Sequence, residues 1–448
     1  MSSNKKGFVN FLQEFSIPLI VGVIAALMAA NLAPDWYHHW FGEIHGGGEP
    51  GEGHHEVFNL GFSMFGHAVG LHFLVNDIFM VFFFGIAAKE ITEAALPGGS
   101  LNPFKSAISP LLATLGGVIG PIAAFFALLL AWHGASPESF PPGMELWEGK
   151  ENLARGWGIP TATDIALAWL VARTVFGKGH PAINFLLLLA VADDAIGLGI
   201  IAVAYGDPLN PARPEFLALV LAGMAIAFAL RKMKVNSWIP YIFIAGPVAW
   251  AGLMLAHLHP ALALVPIVPF LPGPKKDTGM FVEDDEIDRA EDAGIDTHSA
   301  EHSPLHQFEH QLKFFVDFGL FFFAFANAGV MLSGIGPMTW IVLGSLIIGK
   351  TVGITAFAYL GTKIGFPLPK GMGMKELVMA GYIGALGLTV ALFVAGAAFT
   401  DDTMQGQAKM GALFSGFVGI TAILIGRVIG LGKQKDADSV PGKKSEAA

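Results

Sequence analysis

The 448-residue sequence contains no cysteine, which excludes a disulfide framework and any thiol chemistry. Charge is scarce: Asp, Glu, Lys and Arg make up 14% of the chain, where soluble domains carry about 25%. That deficit argues against two or three soluble domains, which the length alone would allow. The spans hold no Ser/His/Asp or metal-ligand pattern, so an enzyme is not expected. The net charge of −10 gives no sign of nucleic-acid binding, since eleven of the acids lie in one stretch, 277–309.

What fills the chain is apolar. Hydrophobic residues make up 53%, with 56 Gly and 37 Phe, and the mean hydropathy is +0.58. Apolar runs of 18 or more residues recur, each long enough to cross a hydrocarbon core about 30 Å thick. The N-terminus carries Lys5 and Lys6 before its first apolar run and lacks an Ala-x-Ala-like cleavage site, so the first span is expected to stay as an anchor. The fold expected is an all-α polytopic membrane protein with about twelve transmembrane helices. They fall near 16–31, 74–88, 107–131, 157–176, 183–205, 216–231, 236–257, 258–271, 314–331, 338–360, 377–399 and 408–429. With the N-terminus inside, the inside segments hold 21 of the 26 basic residues and the outside loops four, Lys350 lying within a span. That bias puts both termini in the cytoplasm. The first outside loop gathers His38, His39, His45, His54 and His55 among glycines and acids, and reads as a solvated surface loop. The acidic inside stretch 277–309 reads as a solvated linker, and 432–448 as a flexible tail.

Polar residues inside the spans carry the functional signal. The run LLLLAVADDAIGLGIIAVAY, 186–205, has Asp193 and Asp194 near its middle. An isolated charge at the bilayer centre costs about 2.5–3.5 kcal/mol, so neither acid faces lipid without a partner or a proton. Consecutive helical residues point about 100° apart, so the two acids have different neighbours. The preceding span, GWGIPTATDIALAWLVARTVF, has Pro160, Thr161 and Thr163 among glycines and reads as a helix interrupted before Asp164. Thr163 is a candidate N-cap there. Interrupted helices at membrane depth line protein or cavity and expose backbone groups as ion ligands. The hairpin brings Asp164 towards the Asp193–Asp194 pair. Lys350 sits at the centre of WIVLGSLIIGKTVGITAFAYL; a buried lysine either loses its proton or keeps it by pairing with a carboxylate, here one of that pair. A second interruption is expected at Gly384, Gly387 and Thr389.

A span with central acids and one with a central lysine, each beside an interrupted span, form the pattern of inverted-topology repeats with two interrupted helices meeting at the midplane. Carboxylates, threonine hydroxyls and helix carbonyls make a hard oxygen site suited to Na+, Li+ or H+. Because an acid takes a proton or a cation but not both, exchange by alternating access follows from competition at one site. The runner-up readings are a cation or proton channel and another ion-coupled secondary transporter.

These residues give the chain its resemblance to the NhaA family of Na+/H+ antiporters. It is carried by GWGIPTATD at 156–164, Asp193 and Asp194 starting 29 residues after Asp164, GK at 349–350, FAFANAG at 323–329 and LVNDIFMVFFFGI at 74–86. The resemblance covers about 15–427 and implies twelve helices, helices 4 and 11 broken and crossing. It also implies electrogenic exchange of one Na+ or Li+ for two H+, without a cofactor, serving sodium and pH homeostasis at a bacterial inner membrane. Asp164 and Asp194 would form the cation and proton site, holding Na+ or Li+, with Thr163 beside it and Asp193 paired with Lys350. One transporter domain, 1–431, would have a core bundle of helices 3–5 and 10–12, about 107–205 and 338–429. A homodimer, formed through an outside hairpin between helices 1 and 2, belongs to the same implication.

One departure stands out. Where the family reads Gly-Leu-Glu-x-Lys-Arg-Glu-Leu at its pH-response segment, this chain has GIAAKEIT, with Ala87, Glu90 and Ile91 in place of Glu, Arg and Glu. Lys89 is retained. With the Lys89–Glu90 region so altered, the activation profile is expected to be shifted or flatter. A dye-based vesicle assay across pH reads this directly, and steep alkaline activation counts against it.

Overall fold

Long apolar helices build the protein, and two glycine pairs set how closely its central helices approach. The computed structural model describes residues 16–42, 57–65, 67–97, 99, 101, 104–149, 152–206, 210–273 and 303–431. The helices are α1 (Ile17–Leu32), α2 (Pro34–Phe41), α3 (Leu71–Ala95), α4 (Phe104–Ala135), α5 (Ile165–Phe176), α6 (Pro181–Ala204), α7 (Pro214–Lys232), α8 (Tyr241–Leu255) and α9 (Pro304–Asn327). They continue as α10 (Pro337–Lys363), α11 (Met374–Ile383), α12 (Thr389–Ala398) and α13 (Asp402–Ile429). A 3-10 helix, Leu153–Thr161, precedes α5 and is bent 49° from it. Two two-residue strands, Ser63–Met64 and His67–Ala68, pair antiparallel between α2 and α3.

Six of these helices are long and apolar enough to cross a membrane, or seven if the bent pair around 162–164 counts as one span. The expected count of about twelve is therefore corrected, and the reasons are local. α1 has 16 residues, and α8 and α12 are also shorter than a full crossing. The stretch expected at 258–271 folds as the short 3-10 turns Pro260–Leu262 and Val268–Phe270. The stretch expected at 377–399 divides into α11 and α12 around Gly384. α9 is long, but Glu309, Lys313 and Asp317 lie along it. Residues 274–302 and 432–448, and with them most of the acidic stretch and the tail, lie outside the described residues, as do His45, His54 and His55. Glu309, the last acid of that stretch, stands on α9.

The order of a long helix, a divided segment and another long helix occurs twice: α4, the bent pair, α6; then α10, α11–α12, α13. α4 and α10 cross in near backbone contact. A Cβ on Gly116 would overlap the carbonyl oxygen of Gly353, and one on Gly120 that of Gly349. Small residues at such a crossing replace side-chain packing with close backbone approach, the usual device where lipid gives no hydrophobic drive between helices. A π-helical turn, Ser345–Lys350, brings Gly349 into this contact and leaves Lys350 fully buried next to it.

Gly116→Val is expected to lower stability by about 1–3 kcal/mol, because overpacking forces two backbones apart. Gly197→Ala, where a Cβ meets nothing within 4 Å, is expected to leave the thermal unfolding of the purified protein unchanged. Equal melting temperatures for both variants would count against the crossing.

Candidate functional site

The division of two helices creates the site, because each break frees backbone groups that would otherwise be used within a helix. At the first break, Asp164 rather than Thr163 is the N-cap of α5: its Oδ1 accepts from the Leu167 amide at 3.1 Å. At the second, α11 ends at Ile383 and α12 begins at Thr389. The breaks meet through the main chain, the Asp164 amide donating to the Leu386 carbonyl at 2.6 Å. Asp164 Oδ2 in turn accepts from the Thr389 hydroxyl at 3.0 Å and the Thr389 amide at 3.4 Å. A carboxylate thus stands at two helix N-termini, where three donors and the partial positive charge of both helix ends stabilise it.

Lys350 occupies the complementary position. Its Nζ donates to the carbonyl of Thr161, the last residue of the 3-10 helix, at 2.7 Å, and to the Thr163 hydroxyl at 2.7 Å. It also pairs with Asp193 Oδ2, and both side chains are completely buried. Thr163 Oγ1 lies 2.9 Å from both Asp193 Oδ2 and the Gly384 carbonyl, so its single proton serves one of them at a time. Asp193, Lys350, Thr163 and the two breaks therefore form one connected network.

Asp194 is differently placed. Its Oδ1 is buried and has no hydrogen-bond partner among the described residues. With Thr163, Asp164 and Thr389 it lines a cavity of about 170 Å³ that runs between α1, α3 and α9. One stripe of α3 faces this cavity, Phe83, Ile86, Ala87 and Glu90, at the three-and-four spacing of a helix face. Glu90 thus shares the cavity with the carboxylate centre, while Lys89 is buried beside it. Lys89 Nζ pairs with Glu309 of α9 and lies 2.6 Å from Glu93 and 3.6 Å from Glu90. One cation so joins three carboxylates of α3 and α9.

The structure brings Asp164, Asp194 and Thr163 together at the cavity and places Asp193 and Lys350 behind them, away from its walls. Sequence reading did not find the contact of Thr389 with Asp164, nor the presence of Glu309 and Asp317 on the cavity wall. A signal was present for the last two: Glu309, Lys313 and Asp317 are spaced by four and so share one helix face. Among the described residues no group of three or more His, Cys, Asp or Glu is arranged to hold a resident metal ion.

Truncating Lys350 to Ala is expected to destabilise the protein by about 3–5 kcal/mol, because it leaves a buried carboxylate uncompensated. Adding Asp193→Asn to that variant is expected to restore most of the loss. Thermal unfolding of both single variants and the double variant measures the coupling, and strictly additive effects would contradict the pairing.

Residues 8–429 match the family described as Na+/H+ antiporter 1. The chain is 53% identical to the Na(+)/H(+) antiporter NhaA of Desulfitobacterium hafniense, over 98% of this chain and all of that protein. It is 52% identical to the Na(+)/H(+) antiporter NhaA of Geobacter sulfurreducens, over 94% of this chain and 97% of the relative. A more distant relative, the Na(+)/H(+) antiporter NhaA of Jannaschia, is 40% identical over 95% of this chain and 99% of its own length. With its two crossing breaks and a family match that spans nearly its whole length, the chain belongs to the Na+/H+ antiporter 1 family.

Proposed function

We propose that the protein is an electrogenic antiporter that exchanges Na+ or Li+ for H+ by alternating access, with cation and protons competing for Asp164 and Asp194. The observation that carries this reading is the contrast between these two carboxylates on one cavity. Asp164 is held by three donors, whereas Asp194 presents an unpartnered, buried oxygen beside it. Asp164, Thr163 and Thr389 line the same cavity as Asp194 and supply oxygens of the kind a small hard cation accepts. A proton on Asp194 and a cation at the same oxygen exclude one another, and that exclusion couples the two fluxes. Asp193 and Lys350 act behind the site. While paired they are electrically neutral together, and a movement that separates them demands a proton for Asp193.

The reading places the chain in a bacterial inner membrane with both termini in the cytoplasm, supported by the 21-to-4 bias of basic residues. The cavity mouth, with Glu90, Glu309 and Lys313, then opens to the cytoplasm. The core bundle is α4, the bent pair and α6 with α10 to α13, and the other helices form a panel beside it. A homodimer through the hairpin Ser63–Met64 and His67–Ala68 belongs to the same reading.

In everted vesicles, Na+ or Li+ is expected to release protons through the wild-type protein, and Asp194→Asn is expected to reduce that release to background. Proton release that survives the substitution would overturn competition at Asp194. Single-channel currents would instead favour a channel.

A further inference from the structure

Tyr205 caps the end of α6, about 18 Å along the helix from Asp193 at 1.5 Å per residue, and takes no part in the exchange site as described. Its side chain is fully buried. A buried tyrosine hydroxyl needs partners, and this one finds both in the 3-10 helix Leu153–Thr161. It donates to the Arg155 carbonyl at 2.6 Å and accepts from the Gly158 amide at 2.8 Å. Those are the two groups that an i to i+3 bond would join, so the hydroxyl ties one rung of the 3-10 helix to α6. Glycine at 158 permits the approach, because a Cβ there would lie 2.6 Å from the hydroxyl oxygen. Arg155 adds a second tie, its Nε donating at 2.9 Å to the carbonyl of Ala398, the last residue of α12.

The other end of the same helix carries the site. Thr161, its last residue, gives its carbonyl to Lys350, and Thr163 and Asp164 follow at the cavity wall. Two helices therefore hold this segment at both ends: α6 through Tyr205 and Asp193, α12 through Ala398 and Thr389. Nine residues is long for a 3-10 helix, whose poorer hydrogen-bond geometry rarely sustains more than about four. Such a helix keeps its length and rotation through its neighbours more than through its own ladder. We infer that Tyr205 is a positioning residue for the cation site. By fixing one end of the 3-10 helix on α6, it sets the place at which the other end presents Thr163 to the cavity. Without the hydroxyl, the Arg155 carbonyl and the Gly158 amide lose their shared partner, and the segment can slide or turn against α6. A displacement of ligands costs affinity even where no ligand is removed. Tyr205 itself touches no ion and moves no proton.

This inference rests on the reading of Asp164 and Asp194 as a cation site, and direct binding separates it from the exchange built on that site. The Kd values for Li+ and Na+ are measured by titration calorimetry of the purified full-length protein, with the melting temperature recorded alongside. Tyr205→Phe, which keeps the ring, is expected to raise both Kd values about tenfold, the low end of what losing a support behind metal ligands costs. Gly158→Ala, which crowds the hydroxyl without removing it, is expected to weaken binding in the same direction. Thr163→Ala supplies the background that discriminates. Gly158 and Thr163 are about 10 Å apart at 2.0 Å per residue, and sites so separated normally give additive effects. Because Tyr205 acts by placing Thr163, adding Tyr205→Phe to Thr163→Ala is expected to change Kd by less than about threefold. A merely structural role would not produce that coupling. A lower melting temperature with unchanged Kd, or the full loss of affinity in both backgrounds, overturns the positioning role. Failure of wild type to bind either ion overturns both this role and the cation site, whereas binding without cation-driven proton flux in vesicles overturns the exchange alone.

Discussion

Lys350 and Asp193 face each other at complete burial, and neither charge is tolerable there without the other. Much of the central architecture follows from having to bring them together. Lys350 can reach Asp193 only because α10 lies in backbone contact with α4 at Gly349 and Gly353, a closeness that any side chain at Gly116 or Gly120 would prevent. The ammonium has hydrogens beyond the one engaged with the carboxylate, and these find the Thr161 carbonyl and the Thr163 hydroxyl. An unbroken helix through 153–176 would have used the Thr161 carbonyl within itself. The interruption of one helix is thus tied to the satisfaction of a lysine on another.

The same break explains why two adjacent acids differ. Asp193 and Asp194 point about 100° apart on α6. One meets the lysine, and the other meets the cavity. Asp164, at the start of α5, is balanced by the N-termini of two helices and by three donors. Asp194 Oδ1 has no hydrogen-bond partner among the described residues, which leaves that oxygen open to an arriving proton or cation. In the proposed exchange, a site with one hydrogen-bonded carboxylate and one carrying an unpartnered oxygen holds a cation without needing two additional positive charges. It also releases the cation when a proton takes over the second oxygen. In that reading the asymmetry lets a buried acidic pair exchange its ion instead of trapping it.

Much of this could be read from the sequence, because charge in an apolar run is costly and therefore conspicuous. Asp164, Asp193, Asp194 and Lys350 all announce themselves in this way, and Pro160 with its neighbouring threonines marks the first break. What could not be read depended on contacts between distant segments. Thr163 and Asp164 are both good N-caps, and only the path of the chain decides that Asp164 takes the Leu167 amide. Thr389 is an ordinary residue in its own stretch and becomes notable only when the second break crosses the first. The helix count failed for a related reason: hydropathy windows see continuous apolar sequence and do not see that 258–271 folds into 3-10 turns or that 377–399 divides at Gly384.

The division of long apolar segments into shorter pieces and the presence of the site are the same fact seen at two scales. A full-length helix satisfies every backbone group internally and offers an ion nothing along its middle. The pieces at the two breaks end at groups of the site: the 3-10 helix ends at the Thr161 carbonyl, α5 begins at Asp164, and α12 begins at Thr389. α9 supplies the complementary case, a helix left whole but given charges along one face. Its stripe of Glu309, Lys313 and Asp317 lowers its hydropathy and gives the cavity a polar wall. The features that make the chain look less like a row of simple membrane helices are those that set polar groups around the cavity.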